Sequence, residues 1–399
     1  MADYLYDTVR RLIAFDTVSS NSNLEAAKFL ADRLDGTGFH VALHQLELAG
    51  VQHANLIASA GPADSDGLMI SGHIDIVPFS AQPGWTRDPL KAELEGDRLY
   101  GRGASDMKGF LAQCVDAAMK LDRRKLRRPV VFLLTAGEEI GGRGAEAIAP
   151  ELSTLLGDLP MPRLCWIGEP TSNGICHTHK CIGSFEIKVT GRGGHSGAPA
   201  EGVNAIAVMG KVMEVIGKLQ EERASSRNAA FVEAFPESPY DVLNFGTVSG
   251  GIAVNMIAEE SRLRLSYRSL PDADPMELYR EIEHRVMSID TRDFAGGEHR
   301  ASIRVGRPQI MPPLLSPRGT ALERALMEVT GAKTSRGAVY GTDGGHLALS
   351  GITSLICGPG DLEQAHQPNE SIRRDAFERG PELILRVIDR MCGSAATTT

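Results

Sequence analysis

The run Gly67-Leu68-Met69-Ile70-Ser71-Gly72-His73-Ile74-Asp75 passes from apolar residues to a glycine, a histidine and a carboxylate. Three later stretches follow the same order. Val130-Val131-Phe132-Leu133-Leu134 leads to Gly137-Glu138-Glu139, and Leu164-Cys165-Trp166-Ile167 leads to Gly168-Glu169-Pro170. Ser354-Leu355-Ile356-Cys357 leads to Gly358-Pro359-Gly360-Asp361. Short continuous apolar runs are the signature of strands covered on both faces. Stretches of helical periodicity separate them, at residues 4–14 and 24–35 among others, so a doubly wound α/β sheet is expected. Ligand sites in such sheets gather at the carboxyl ends of the strands. That is where this chain puts its histidine and carboxylates.

The middle of the chain has a different period. Phe185-Glu186-Ile187-Lys188-Val189-Thr190 alternates, as do residues 242–249 and 261–269. Residues 202–222, with Asn204 near the start, and 275–288 read as helices, and 302–305 as a further strand. The resulting β-α-β-β-α-β order is a ferredoxin-like α+β pattern. The expected layout is a discontinuous catalytic domain, residues 1–180 and 313–399, with an inserted domain over 181–312. A chain of 399 residues exceeds what one core usually holds, which agrees with two domains.

Composition narrows the function. With 42% hydrophobic and 23% charged residues the chain is an ordinary globular one. A net charge of −9 argues against nucleic acid or anionic membrane as a partner. The basic run Arg123 to Arg128 reads as a solvated connection. Residues 1–15 mix charges with apolar residues and lack the apolar run of a secretory signal, so a cytoplasmic location is expected. Six cysteines in a chain this long are not a disulfide framework. Cys165 and Cys357 look like small core residues. Cys176 and Cys181 flank His177 and His179; soft-ligand zinc sites usually have a tighter pair, so a metal site there stays an open alternative.

The metal-type side chains at the strand ends are His73, Glu139, Glu169 and His366, joined by Asp106 from Gly103-Ala104-Ser105-Asp106-Met107-Lys108-Gly109. Two histidines and three carboxylates suit two borderline ions with one carboxylate between them. Such a pair polarises a carbonyl and activates water, and hydrolysis then needs a base. In the adjacent pair Glu138-Glu139, one could bind metal while the other stays free.

Taken together, Ser71–Pro78, Tyr100–Gly109, Thr135–Glu139 and Gly168–Thr171 resemble the signatures of one family of di-zinc metallohydrolases. It holds acetylornithine deacetylases, succinyl-diaminopimelate desuccinylases, aminoacylases and glutamate carboxypeptidases. The resemblance spans the chain, inserted dimerisation (lid) domain included. It implies two zinc ions, for which cobalt or manganese can substitute, held by His73, Asp106 and Glu169 and by Asp106, Glu139 and His366. It implies Glu138 as general base and Asp75 as the carboxylate that orients His73. In Gly191–Pro199, His195 would stabilise an oxyanion in the partner subunit's site of a homodimer. Asn255 and Arg268 would meet the substrate's carboxylate.

Cys357–Glu370 is most similar to the acetylornithine deacetylase members. This implies removal of an acetyl group from an Nα-acetyl basic amino acid, in arginine biosynthesis. Asp343, in Tyr340-Gly341-Thr342-Asp343-Gly344-Gly345, is a candidate partner for a substrate ammonium, or else shapes a glycine-rich turn. Cys181 and Ser266 depart from the family pattern, where glycine and an acidic residue are frequent. The alternatives are another N-acyl amino acid deacylase, acting on acetylcitrulline or succinyl-diaminopimelate, a metallo-dipeptidase or carboxypeptidase, and a non-catalytic relative. The intact ligand set disfavours the last.

Overall fold

The computed structural model describes residues 2–294 and 299–393. They form two compact units, Met1–Thr178 with Leu314–Arg336 and Thr342–Thr399, and His179–Pro313 with Gly337–Gly341. In chain order the main strands are β1 (His40–Leu48), β2 (Val51–Ala60), β3 (Leu68–His73), β4 (Val130–Thr135), β5 (Leu164–Ile167), β6 (Ile175–His179), β7 (Ile182–Thr190), β8 (Val242–Gly250), β9 (Glu260–Arg268), β10 (Ser302–Val305), β11 (Leu314–Leu315) and β12 (Thr353–Ile356). The main helices are α1 (Ala2–Ala14), α2 (Leu24–Asp35), α3 (Lys108–Lys120), α4 (Ala205–Ser225), α5 (Glu277–Met287), α6 (Ala321–Thr330), α7 (Gly344–Leu349) and α8 (Arg374–Cys392).

The large sheet of the first unit runs β1-β2-β4-β3-β5-β12-β6-β11. Its centre, β4-β3-β5-β12, is parallel and consists of the four apolar runs read from the sequence. Every residue of β3 and β4 is buried. Each fully buried Leu, Ile or Phe there contributes about 1.5–3 kcal/mol of transfer free energy. Helix α3 and the Met107 that precedes it pack against the ends of β3 and β5, where only glycine fits. A Cβ on Gly168 would lie 2.1 Å from the Phe110 ring, and one on Gly72 would lie 2.6 Å from Met107 Cε. Phe110 in turn meets Trp166 edge to face at 5.7 Å, and the indole N–H donates to the Cys357 carbonyl at 2.5 Å. Helix α8 carries Pro381, which has no N–H for the Phe377 carbonyl. Gln113 Nε2 of α3 donates to that carbonyl instead, at 2.9 Å.

The second unit has an antiparallel sheet in the order β8-β9-β7-β10. Helix α4 connects β7 to β8 and α5 connects β9 to β10, the ferredoxin-like arrangement. Buried and half-buried residues alternate along β7, and the buried set packs on α4 and α5. Helix α4 begins at Ala205, later than the periodicity suggests. The Asn204 side chain accepts from Ile206 N and Ala207 N and so fixes the start as an N-cap. Among the described residues, no helix is long and apolar enough to cross a membrane. All six cysteines are free and buried.

Candidate metal centre

Each strand end delivers one part of the site. His73 is the last residue of β3, Glu138 and Glu139 follow β4, and Glu169 follows β5. His366 lies in the segment after β12, and Asp106 stands just before α3, with a cis peptide to Met107. Asp106 sits between the two imidazoles. Its Oδ1 is 3.0 Å from His73 Nε2 and its Oδ2 is 3.3 Å from His366 Nε2. Glu169 Oε1 is 3.7 Å from His73 Nε2, and Glu139 Oε1 is 3.2 Å from His366 Nε2. Two sets of side chains converge closely enough to hold an ion, His73 with Asp106 and Glu139, and His73 with Glu138 and Glu169. Among the described residues neither Cys176, Cys181, His177 nor His179 belongs to such a set. His177 Nδ1 meets Ser335 Oγ, and His179 Nδ1 meets the Lys180 carbonyl.

The charges do not balance without a cation. Burial, then the charge of Glu169, pushes the Glu138 carboxyl well above its ordinary range. Burial and neighbouring carboxylates likewise lift Glu169 and Glu139. Burial also acts to raise Asp106, but the two histidines outweigh it and hold that carboxyl low. Burial acts to lower His73, but Glu169 and Asp106 win and raise it well above its usual value. Hydrogen bonds to Asp106 and Glu139 carry His366 up to about 10. Three glutamates and two imidazoles around Asp106 are thus all shifted toward their protonated forms, a mark of how densely carboxylates are packed here. That is the behaviour of a site whose donors, oxygen with imidazole nitrogen, suit a pair of divalent ions.

Asp75 differs in role from the expectation. His73 Nδ1 bonds the Asp75 backbone carbonyl at 2.9 Å, while the nearer carboxylate oxygen is 3.7 Å away. The carboxylate instead accepts from Glu138 N at 3.1 Å, Glu139 N at 3.2 Å and Ser19 Oγ at 2.6 Å. Asp75 therefore bonds the His73 ring through its backbone and the Glu138–Glu139 loop through its side chain. That loop turns through Gly137, Gly141 and Gly142, all at positive φ, and is closed by Gly141 N and Gly142 N donating to the Glu138 carbonyl and Arg143 N donating to the Gly137 carbonyl.

Asp343 belongs to the first unit. It is buried at the start of α7, and its Oδ2 accepts from Thr135 Oγ1 at 2.5 Å. Its Oδ1 has no partner, and burial raises its carboxyl. This placement makes it a brace on the end of β4. His195, Asn255 and Arg268 belong to the second unit. His195 is exposed, and its Nδ1 accepts from Gly197 N at 3.0 Å, which leaves the proton of the neutral ring on Nε2. Asn255 is exposed, with its carbonyl bonded to Ser196 N. Arg268 is half-buried at the end of β9, and its guanidinium has no hydrogen-bonding partner among the described residues.

Sequence reasoning missed Ser19, Thr135 and Glu370. Glu370 was legible as part of the His366 segment, but nothing in its neighbours reveals what its carboxylate holds. Ser19 and Thr135 carry no local signal, since their partners are 56 and 208 residues away.

Residues 69–390 match the model of "Peptidase family M20/M25/M40". The chain is 34% identical over 389 residues, 96% of both chains, to an acetylornithine deacetylase of Edwardsiella ictaluri (strain 93-146). An M20 family metallo-carboxypeptidase of Sulfolobus solfataricus superposes with a TM-score of 0.75 at 18% identity, covering 97% of this chain and 98% of that one. A dinuclear metal-binding M20 peptidase of Bacillus subtilis superposes with a TM-score of 0.65 at 16% identity, over 96% of each. The fold, the cluster at its strand ends and these matches agree: the chain belongs to peptidase family M20/M25/M40 and is a metal-dependent amidohydrolase.

Proposed function

We propose that the protein removes the acetyl group from an Nα-acetyl basic amino acid, N-acetylornithine foremost, releasing acetate and the free amine. The observation that carries this reading is the 34% identity to an acetylornithine deacetylase across 96% of both chains. The proposed ligands are His73, Asp106 and Glu169 for one zinc ion and Asp106, Glu139 and His366 for the other. With two divalent ions held by these residues, the site would gain the positive charge needed to polarise an acyl carbonyl and acidify water.

In this reading Glu138 takes a proton from water as its oxygen adds to the acyl carbon. When the C–N bond breaks, Glu138 gives that proton to the leaving amine. General acid–base work of this kind is worth about 10²–10⁴-fold. Asp75 keeps Glu138 in place through the loop amides. The unpartnered guanidinium of Arg268, with Asn255, is suited to a carboxylate, which arginine binds bidentately. The Nε2–H of the partner subunit's His195 would donate to the oxyanion in a homodimer. The setting would be cytoplasmic arginine biosynthesis.

A substrate panel tests the assignment: N-acetylornithine, N-acetylcitrulline, N-succinyl-diaminopimelate and simple dipeptides, compared by kcat/KM. N-acetylornithine should lead by at least tenfold. A dipeptide or the succinyl substrate leading instead would overturn the substrate while leaving the hydrolytic chemistry.

A further inference from the structure

Glu370 lies four residues beyond His366 and is fully buried. Its carboxylate accepts four N–H groups. Oε2 takes Arg102 Nη1 at 2.9 Å and Gly103 N at 3.0 Å. Oε1 takes Ser105 N at 2.9 Å and Asp106 N at 3.0 Å. Residues 101–107 form neither helix nor strand, so these amides have no regular ladder to join. Buried amides must be paired somewhere, and Glu370 stands in for the missing ladder.

The network continues to the other ligand. Arg102 Nη2 donates to Gln82 Oε1 at 2.5 Å, and its guanidinium lies 5.0 Å from the centre of the Trp85 ring. Gln82 Nε2 donates to the His366 carbonyl at 2.6 Å, and Trp85 Nε1 donates to Gln82 Oε1 at 3.1 Å. An unbroken chain of hydrogen bonds thus runs from Asp106 N through Glu370, Arg102 and Gln82 to the carbonyl of His366. Both ends are intrinsically loose or costly. The Asp106 loop turns through Gly101 and Gly103 at positive φ, and His366 itself sits at φ 62, a conformation that side-chain-bearing residues avoid.

We propose that Glu370, with Arg102 and Gln82, is a positioning residue of the metal centre that sets the spacing of Asp106 and His366 before any ion binds. The inference rests on reading those two residues as metal ligands. A carboxylate is required at this place. Each of its oxygens faces two donors, so a glutamine in either orientation would point its NH₂ at a pair of N–H groups.

The test uses the full-length protein stripped of metal and titrated with Co²⁺ against a competing chelator, with the visible absorption recorded. Urea unfolding of the stripped protein is followed alongside. Glu370→Gln should weaken the second Co²⁺ at least tenfold and alter the cobalt spectrum. Gln82→Leu leaves the four bonds to Glu370 in place while removing the donor to His366 and the acceptor of Arg102 Nη2 and Trp85 Nε1, and should weaken that ion about threefold. It keeps the proposal testable if Glu370→Gln does not fold. Arg102→Lys, which keeps the charge but loses the fork, should fall between the two. Wild-type cobalt affinities and spectra in the folded variants would overturn the clamp, even if urea midpoints drop. Absence of paired Co²⁺ binding in the wild type would remove the ligand reading itself.

Discussion

Replacing Asp75 with asparagine separates two ways in which this carboxylate could matter. In the structure it accepts three bonds, from Ser19 Oγ, Glu138 N and Glu139 N, and its side chain does not reach His73 within hydrogen-bonding distance. Asparagine keeps one acceptor oxygen and points an NH₂ the other way. Ser19 can turn its hydroxyl to accept from that NH₂, but a backbone N–H cannot. At least one buried amide of the base loop then lacks an acceptor, at a cost of about 1–3 kcal/mol. For a unit of this size that is a fall in Tm of about 2–12 °C. Glu138 loses the anchor on its own amide or its neighbour's, and a displacement near 1 Å costs about 10²-fold in rate. The expected result is a kcat lowered about 10- to 100-fold while the protein still takes up two ions at saturating metal, measured by steady-state kinetics and elemental analysis. Two results would exclude this role for the side chain. A kcat within twofold of wild type would make the carboxylate merely structural. A defect confined to metal affinity, with normal kcat at saturation, would return Asp75 to acting through His73.

Glu138→Gln should retain both ions and lose about 10²–10⁴-fold in kcat, and unchanged turnover would remove Glu138 from the chemistry. Asp343→Asn should alter KM for N-acetylornithine and for a neutral N-acetyl amino acid by the same factor, since the group is buried against Thr135; a selective rise for the cationic substrate would restore it as a specificity residue. The stripped protein should also lose stability as pH rises from 6.5 towards 10. His366 is held up to about 10 by Asp106 and Glu139, so its contribution is complete below the unfolded value of 6.5 and vanishes as the ring deprotonates through 10. Urea midpoints across that range, compared with His366→Ala, should show the wild-type slope flattened in the variant.

The strand ends were readable because the physics that builds them is local. A strand buried on both faces must be apolar throughout, so β3, β4, β5 and β12 stand out, and the side chains just past them are the ones a parallel sheet presents. What stayed hidden was the wiring beneath. A carboxylate that accepts backbone amides has the same letter as one that binds an ion, which is why Asp75 was given His73 rather than the Glu138–Glu139 loop. Asp343 reads either as a partner for a substrate ammonium or as part of a glycine-rich turn, and only the fold shows that α7 begins beside it and buries it. Glu370 and Gln82 meet Arg102 across 268 and 20 residues, a closure that only the folded chain defines.

The central claim is that hydrolysis depends on two ions held by His73, Asp106, Glu139, Glu169 and His366. Its most direct measurement is N-acetylornithine hydrolysis by the stripped protein as Zn²⁺ is returned in known equivalents. Turnover should be negligible without metal, and recovery should be complete at two equivalents. Full activity in the stripped protein, or recovery complete at a fraction of one equivalent, would contradict it.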